Sequence, residues 1–301
     1  WNFNFLLFYL EHNLYFCTMK KVVFIINPFS AHKNYQPFLK NLRSKVDNPN
    51  YFISDSVEKT NQFIKEHFDT TDIFVAVGGD GTISSVAKKL INTDKILAIF
   101  PAGSGNGFAR ENEFGKNLEE LLAKIERKNY REIDTFTVNE HFSINVSGTG
   151  FDGKVVKRFE RTDRGLKNYI KISVKTFFNY KPISVKFTSE LHQKYDGEYL
   201  MVNIANTRQF GNDAFIAPHA NTVDGLAEVV LVKKFPFYYG AIFAFKMFTK
   251  NLTESDFVKF ISIPEIDFSV DTEDWHLDGE YTKISSPIQI KVLPKSLKIL
   301  I

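Results

Sequence analysis

Ile73-Phe74-Val75-Ala76-Val77-Gly78-Gly79-Asp80-Gly81-Thr82 is the stretch that decides the fold. Its first five residues are apolar and mostly β-branched or aromatic, the pattern of a strand buried on both faces. Three glycines then fall within four positions, which lets the backbone take unusual conformations and come close to a ligand. The spacing predicts a helix over Ile83–Ile91, so free backbone N–H groups and a helix N-terminus face whatever sits at the turn, a setting that favours an anion. A carboxylate among phosphates repels them unless it holds a cation or a hydroxyl, and this gives Asp80 a specific task.

The same arrangement recurs on either side. Ile96–Phe100 is a strand that ends in Pro101-Ala102-Gly103-Ser104-Gly105-Asn106-Gly107, where Ser104 and Asn106 can donate to phosphate and the glycines remove bulk. Val22–Ile26 is a strand that ends in the turn Asn27-Pro28-Phe29-Ser30. Helical spacing around Phe38, Leu39 and Leu42, a short strand at Tyr51–Ile53, and helices over Val57–Phe68 and Asn117–Arg127 complete an alternation of strand and helix. That alternation predicts a parallel sheet with helices on both faces, with the loops gathered at the carboxyl edge where ligands bind.

Beyond Tyr130 the pattern changes. Short runs at Thr135–Val138, Phe142–Val146, Ile183–Thr188, Tyr199–Ala205, Glu228–Lys233, Ile266–Val270, Ile288–Val292 and Leu297–Ile301 predict an antiparallel β domain. Helical stretches at Gly165–Tyr180 and Tyr238–Thr249 interrupt it, and Phe177, Phe178 and Tyr180 are candidates for a lipid-facing wall. The expected organisation is an extension over 1–18, a nucleotide-binding α/β domain over 19–130, and a β-rich domain over 131–301 whose last strand returns to the first domain. The extension reads as non-native or disordered, with Met19 as the natural start.

Composition narrows the partners. The 301 residues carry 38 Lys and Arg against 35 Asp and Glu, with no dense basic run; the balance by itself argues neither for nor against nucleic acid, and no nucleic-acid partner is expected. A single cysteine, Cys17, rules out a disulfide within the chain and a cysteine-based metal site. Phe3–Leu10 is too short to span a bilayer.

Through these loops the chain resembles the catalytic-domain family of diacylglycerol kinases and sphingosine kinases, including its bacterial soluble lipid kinases, from Met19 to Ile301. The resemblance implies a phosphofructokinase- or NAD-kinase-like α/β domain followed by a mainly antiparallel β-sandwich. It implies that ATP is held by Asn27, Pro28 and Ser30, by Gly78, Gly79, Asp80, Gly81 and Thr82, and by Gly103, Ser104, Gly105 and Asn106, with Ser54 the nearest match to a further nucleotide contact. Ala217-Pro218 through Asp224-Gly225-Leu226 resembles a segment that binds structural Mg²⁺, which makes the Asp224 carboxylate and the Asn221 and Leu226 carbonyls the implied ligands. Asp278-Gly279-Glu280 resembles a late acidic motif, with Glu280 the implied base, Asp278 supporting it and Asp80 contacting the nucleotide's Mg²⁺. The tripeptide is also an ordinary hairpin turn.

Two positions depart from the family pattern: Ala31 stands where glycine is usual, and Gly107 where many bacterial diacylglycerol kinases have Asp. The implied activity is ATP-dependent phosphorylation of a lipid hydroxyl, on diacylglycerol, a long-chain base or a related alcohol. The implied setting is cytoplasmic, peripheral to a membrane, with a homodimer compatible. The rivals are an NAD-kinase-like enzyme, which shares the Gly-Gly-Asp-Gly loop, and a non-catalytic nucleotide- or lipid-binding regulator.

Overall fold

The structure, a computed structural model, describes residues 21–30, 34–160, 162 and 165–301. The expected extension over 1–18, and Ala31, lie outside the described residues. The chain divides into two compact units, one of residues 1–103, 112–132 and 297–301, the other of 104–111 and 133–296.

In the first unit, β1 (Val22–Ile26), β2 (Tyr51–Ile53), β3 (Ile73–Gly78) and β4 (Ile96–Pro101) form a parallel sheet in the order β2-β1-β3-β4. Every residue of β1 and β3 is buried, which is why both read as unbroken apolar runs. Among the described residues, four helices belong to this unit: α1 (Gln36–Lys45), α2 (Val57–His67), α3 (Asp80–Leu90) and α5 (Leu118–Arg127); α4 (Gly107–Glu111) lies in the other. The starts of α2 and α5 follow from side-chain caps. The Ser56 hydroxyl accepts the Lys59 N–H, and the Asn117 carboxamide oxygen accepts the Glu119 and Glu120 N–H groups. Leu118, Leu121, Leu122 and Ile125 then bury one face of α5.

In the second unit, β7 (Val146–Gly150), β10 (Met201–Ala205), β11 (Ala227–Val232), β12 (Val258–Ile263), β14 (Asp274–Leu277) and β15 (Glu280–Lys283) form an antiparallel sheet in the order β12-β11-β10-β7-β14-β15. A second layer contains β8 (Ile183–Phe187), β9 (Gly197–Tyr199), β13 (Glu265–Val270) and β16 (Ile288–Leu300), with β5 (Tyr130–Val138) on β16 and β6 (His141–Ser143) on β5. Val202, Ile204, Val229, Leu231 and Trp275 of the first sheet share a core with Val185, Phe187, Phe268 and Ile290 of the second, which makes the unit a β-sandwich. The alternate residues Met201, Ala205, Val230 and Val232 join a separate cluster with Phe235 and Phe243, so the central strands are apolar on both faces. Among the described residues this unit also has α6 (Phe151–Phe159), α7 (Leu166–Asn179), α8 (Tyr239–Phe248) and a short 3₁₀ helix, Gln193–Tyr195.

Several expected elements are corrected. The run Phe142–Val146 is not one strand: β6 ends at Ser143 and β7 begins at Val146. Tyr199–Ala205 divides at Leu200 between β9 and β10, which lie in different sheets. Ile288–Val292 and Leu297–Ile301 are one strand, β16, antiparallel to β13 at its start and parallel to β4 at Lys298 and Ile299. α3 starts at Asp80, not Ile83, with Gly79 as its N-cap, so Gly81 and Thr82 belong to its first turn.

Candidate active site

The two glycine-rich loops meet where β3 and β4 end. The Ala102 N–H donates to the Gly78 carbonyl at 2.8 Å. A Cβ on Gly79 would lie 3.2 Å from the Gly103 Cα, and one on Gly78 only 2.5 Å from the Thr82 Oγ1. A Cβ at 78 would force the Thr82 side chain folded over it to move, and one at 79 would fit only if the neighbouring loop gave way by a few tenths of an ångström. The first loop joins them, because the Asn27 carboxamide donates to the Thr82 hydroxyl at 2.8 Å. The Asn27 carboxamide oxygen accepts the Phe29 N–H at 2.9 Å, and the Ser30 N–H reaches the Asn27 carbonyl at 3.3 Å, which closes the Asn27–Ser30 turn. Asp80 stands half-buried in the first turn of α3, beside the positive end of the helix.

Ser54 directly follows β2, as expected. Its N–H donates to the Ile26 carbonyl, which keeps it at the end of β2 beside β1, but its hydroxyl bonds the Thr60 hydroxyl in α2.

In the second unit, Asn106 is buried with φ +52° and forms an isolated β-bridge with Gly211. Gly107 opens α4 against the Phe210 carbonyl, 2.6 Å from where a Cβ would stand. An Asp at this position would drive its Cβ into that carbonyl in this backbone. Arg110 and Glu111 of α4 pair with Asp213 and Arg208 at 3.0 and 2.7 Å.

Asp278 and Gly279 form the two-residue turn between β14 and β15, with φ +51° and +88°. The Asp278 carboxylate is buried and accepts the Ser143 hydroxyl at 2.7 Å, the Asn145 N–H at 2.8 Å and the Ile144 N–H at 3.2 Å. It closes the β6–β7 turn, so its support of the site is positional. Glu280 is exposed at the start of β15. Asp274 lies on the neighbouring strand, where Lys157, Lys154 and the Tyr281 hydroxyl surround its carboxylate. Burial pushes the Asp274 carboxyl up, and the hydrogen bonds from Lys157, Tyr281 and Lys154 outweigh it, leaving its pKa at about 2.

The 221–226 loop is built as two side-chain turns. The Asn221 carboxamide accepts the Val223 N–H at 3.2 Å and the Asp224 carboxylate the Leu226 N–H at 3.0 Å. Gly225, at φ +76°, donates to the buried Asp134 carboxylate at 2.6 Å. Among the described residues no three His, Cys, Asp or Glu side chains converge on a point that could hold a metal. A cation at this loop would need main-chain oxygens beside its one carboxylate, Asp224, whose Oδ1 accepts the Leu226 N–H.

Sequence reasoning missed Asn145 and Asp134. Neither stands in a motif, and both act through partners distant in the chain, Asp278 and Gly225. It also missed a buried group in which Asp152 accepts from Asn203 and contacts the His276 Nε2 at 3.1 Å.

A glycine-rich α/β unit ahead of an antiparallel β-sandwich defines the class, a two-part kinase-like chain with its loops at strand ends. Residues 21–138 match the diacylglycerol kinase catalytic domain, and residues 145–301 match the YegS C-terminal NAD kinase beta sandwich-like domain. The chain belongs to this family of diacylglycerol kinases and YegS-like lipid kinases. It is 27% identical to the uncharacterized protein sll0036 of Synechocystis sp. (strain ATCC 27184 / PCC 6803 / Kazusa), across 91% of this chain and 69% of that one. It is 28% identical to a diacylglycerol kinase of Mycobacterium tuberculosis (strain ATCC 25618 / H37Rv), with 54% of this chain and 55% of that protein covered. A "Probable lipid kinase YegS-like" of Pseudomonas aeruginosa (strain UCBPP-PA14) is 31% identical across 52% of this chain and 53% of its own length. The last two matches thus span about half of those relatives. The crystal structure of a diacylglycerol kinase from Bacillus anthracis str. Sterne shares the fold, with a TM-score of 0.70 at 18% identity over 93% of this chain and 96% of that chain.

Proposed function

We propose that this protein is an ATP-dependent lipid kinase that moves the γ-phosphate of ATP onto a hydroxyl of a membrane lipid, working from the cytoplasm at the membrane surface. The observation that carries the reading is the approach of Gly79 to Gly103, which leaves bare main chain at two adjacent strand ends beside the N-terminus of α3. Backbone N–H groups without side-chain bulk suit a triphosphate, and a helix N-terminus adds partial positive charge. Family membership supports the lipid as acceptor.

In this reading Asn27 and Thr82 fix the first and second loops relative to each other, Ser104 and Asn106 donate to phosphate, and Ser54 lies near the nucleotide. Mg²⁺, when bound, screens the β- and γ-phosphates and the charge that develops in transfer. Asp80 would be its protein contact there, and Asp224 with the Asn221 and Leu226 carbonyls would hold a structural ion. Glu280 accepts the proton of the attacking hydroxyl, and Asp278 holds the turn that carries it. Transfer of this kind depends on alignment and charge neutralisation more than on covalent chemistry.

The test is incubation of the purified chain with γ-labelled ATP, Mg²⁺ and a total lipid extract. Label in an extractable lipid, absent with Asp80→Ala, is the expected result. Label in NAD but in no lipid overturns the acceptor.

A further inference from the structure

α7 and α8 expose large apolar side chains that the β-sandwich does not cover. On α7, Ile170, Val174 and Phe178 recur every four residues and are 50%, 42% and 60% exposed. On α8 and the turn before it, Tyr238, Ile242, Phe245 and Phe248 face one side and are 74%, 45%, 67% and 45% exposed. Phe178 and Phe237, both exposed, pack with ring centroids 4.5 Å apart, so the two helices present one continuous aromatic patch. Beneath it, Phe177 stacks on Phe235 at 5.4 Å and Phe235 packs on Phe243 at 5.3 Å, which ties the patch to the sheet. Phe178, expected as a wall for lipid, is instead on this outer surface, while Phe177 and Tyr180 lie half-buried behind it against Phe151.

The charge on these segments is one-sided. Residues 165–181 and 233–250 contain eight of the chain's 38 basic residues and none of its 35 acidic ones. Lys167, Lys171 and Lys175 form a row along α7 beside the apolar row. Lys233 and Lys234 precede α8, and Lys246 and Lys250 lie at its end. A protein partner on this patch would need an acidic rim around its apolar face. A lysine-only rim around exposed Phe, Tyr and Ile fits a surface that is apolar below and anionic at its boundary. Neither helix is long and apolar enough to cross a membrane.

We infer that the outer faces of α7 and α8 are the surface by which this protein docks on an anionic lipid bilayer. The apolar side chains enter the acyl boundary while the lysines contact lipid phosphates. The inference names the face for the membrane contact in the proposed function, yet vesicle binding requires no turnover, so the two fail separately.

The experiment is co-sedimentation of the full chain with phosphatidylcholine vesicles, with and without about 30 mol% phosphatidylglycerol. Expected is at least tenfold tighter binding to the anionic vesicles, lost in Ile242→Glu/Phe245→Glu and weakened in Lys171→Glu/Lys175→Glu. Salt at about 0.5 M weakens binding as well. Both variants keep the wild-type melting temperature, and both still phosphorylate a short-chain lipid dispersed as monomers. Equal binding of wild type and Ile242→Glu/Phe245→Glu overturns the inference. So does a wild-type dimer in solution that Ile242→Glu/Phe245→Glu converts to monomer with no change in vesicle binding, because the patch is then an interface between copies.

Discussion

Asn27 reaches from the end of β1 to Thr82 in the first turn of α3, its side-chain amide donating to the threonine hydroxyl at 2.8 Å. This bond is the direct side-chain link between a turn that looks ordinary in the sequence and the glycine-rich loop. It holds the two loops against each other. Asn27→Ala is expected to cost about 1 kcal/mol of stability and to raise the KM for ATP about tenfold. Thermal melts and initial rates against ATP concentration check both.

Gly78 lies under Thr82, and the two form a coupled pair. A Cβ on Gly78 would meet the Thr82 Oγ1 at 2.5 Å and its Cβ at 2.6 Å. Gly78→Ala is expected to destabilise the chain by about 1–3 kcal/mol. Thr82→Gly in the same chain, which removes the Oγ1 and the Cβ together, restores part of that loss, giving non-additivity in a double-mutant cycle read by urea denaturation.

Asp278 and Glu280 separate by experiment. Asp278→Ala leaves the Ser143, Ile144 and Asn145 donors of a buried turn without their acceptor and is expected to cost about 2–4 kcal/mol. Glu280→Gln is at an exposed position and leaves the melting temperature unchanged while turnover falls at least about 100-fold. A Glu280→Gln enzyme with full turnover removes that residue as the base.

Asp274 gives the fold an acid-sensitive contact. Its folded pKa, at about 2, is below the ordinary value of 3.8, so its ion pairs stabilise the chain fully above the unfolded pKa. That contribution is lost as pH falls from about 4 toward 2. The stability gap between wild type and Asp274→Asn is expected to be about 1–2 kcal/mol at neutral pH and to close in that window, measured by urea denaturation as a function of pH.

The parallel sheet was legible because its strands are buried on both faces and each ends in a loop of distinctive composition. The start of α3 was not, because Gly81 weakens the helical signal although Gly79 caps the helix at Asp80. The break between β6 and β7 was hidden for another reason. Phe142–Val146 is apolar enough for one strand, but the Ile144 and Asn145 N–H groups turn toward Asp278, more than 130 residues away. β16 failed in the opposite sense. Pro294, Lys295 and Ser296 interrupt the alternation, yet the strand continues, with Lys295 at φ +52° donating its N–H to Asp134 at 2.7 Å.

α6 was missed outright because Gly153 sits within it. A Cβ there would fall 2.3 Å from the Asp274 carbonyl, so the glycine lets the helix lie against β14. The glycine loops of the site were legible because short-range composition carries them. The positions of Asp278, Asn145 and Asp134 depend on contacts across the sandwich, which no local pattern encodes.

The central claim is that the main chain at the ends of β3 and β4 receives a triphosphate. Equilibrium dialysis of labelled ATP with Mg²⁺ tests it most directly, comparing wild type with Gly79→Val, whose side chain would enter the 3.2 Å approach to Gly103. The account predicts saturable one-to-one binding by wild type, weakened at least tenfold in folded Gly79→Val. Folded wild type without saturable binding, or Gly79→Val binding ATP as well as wild type, would contradict it.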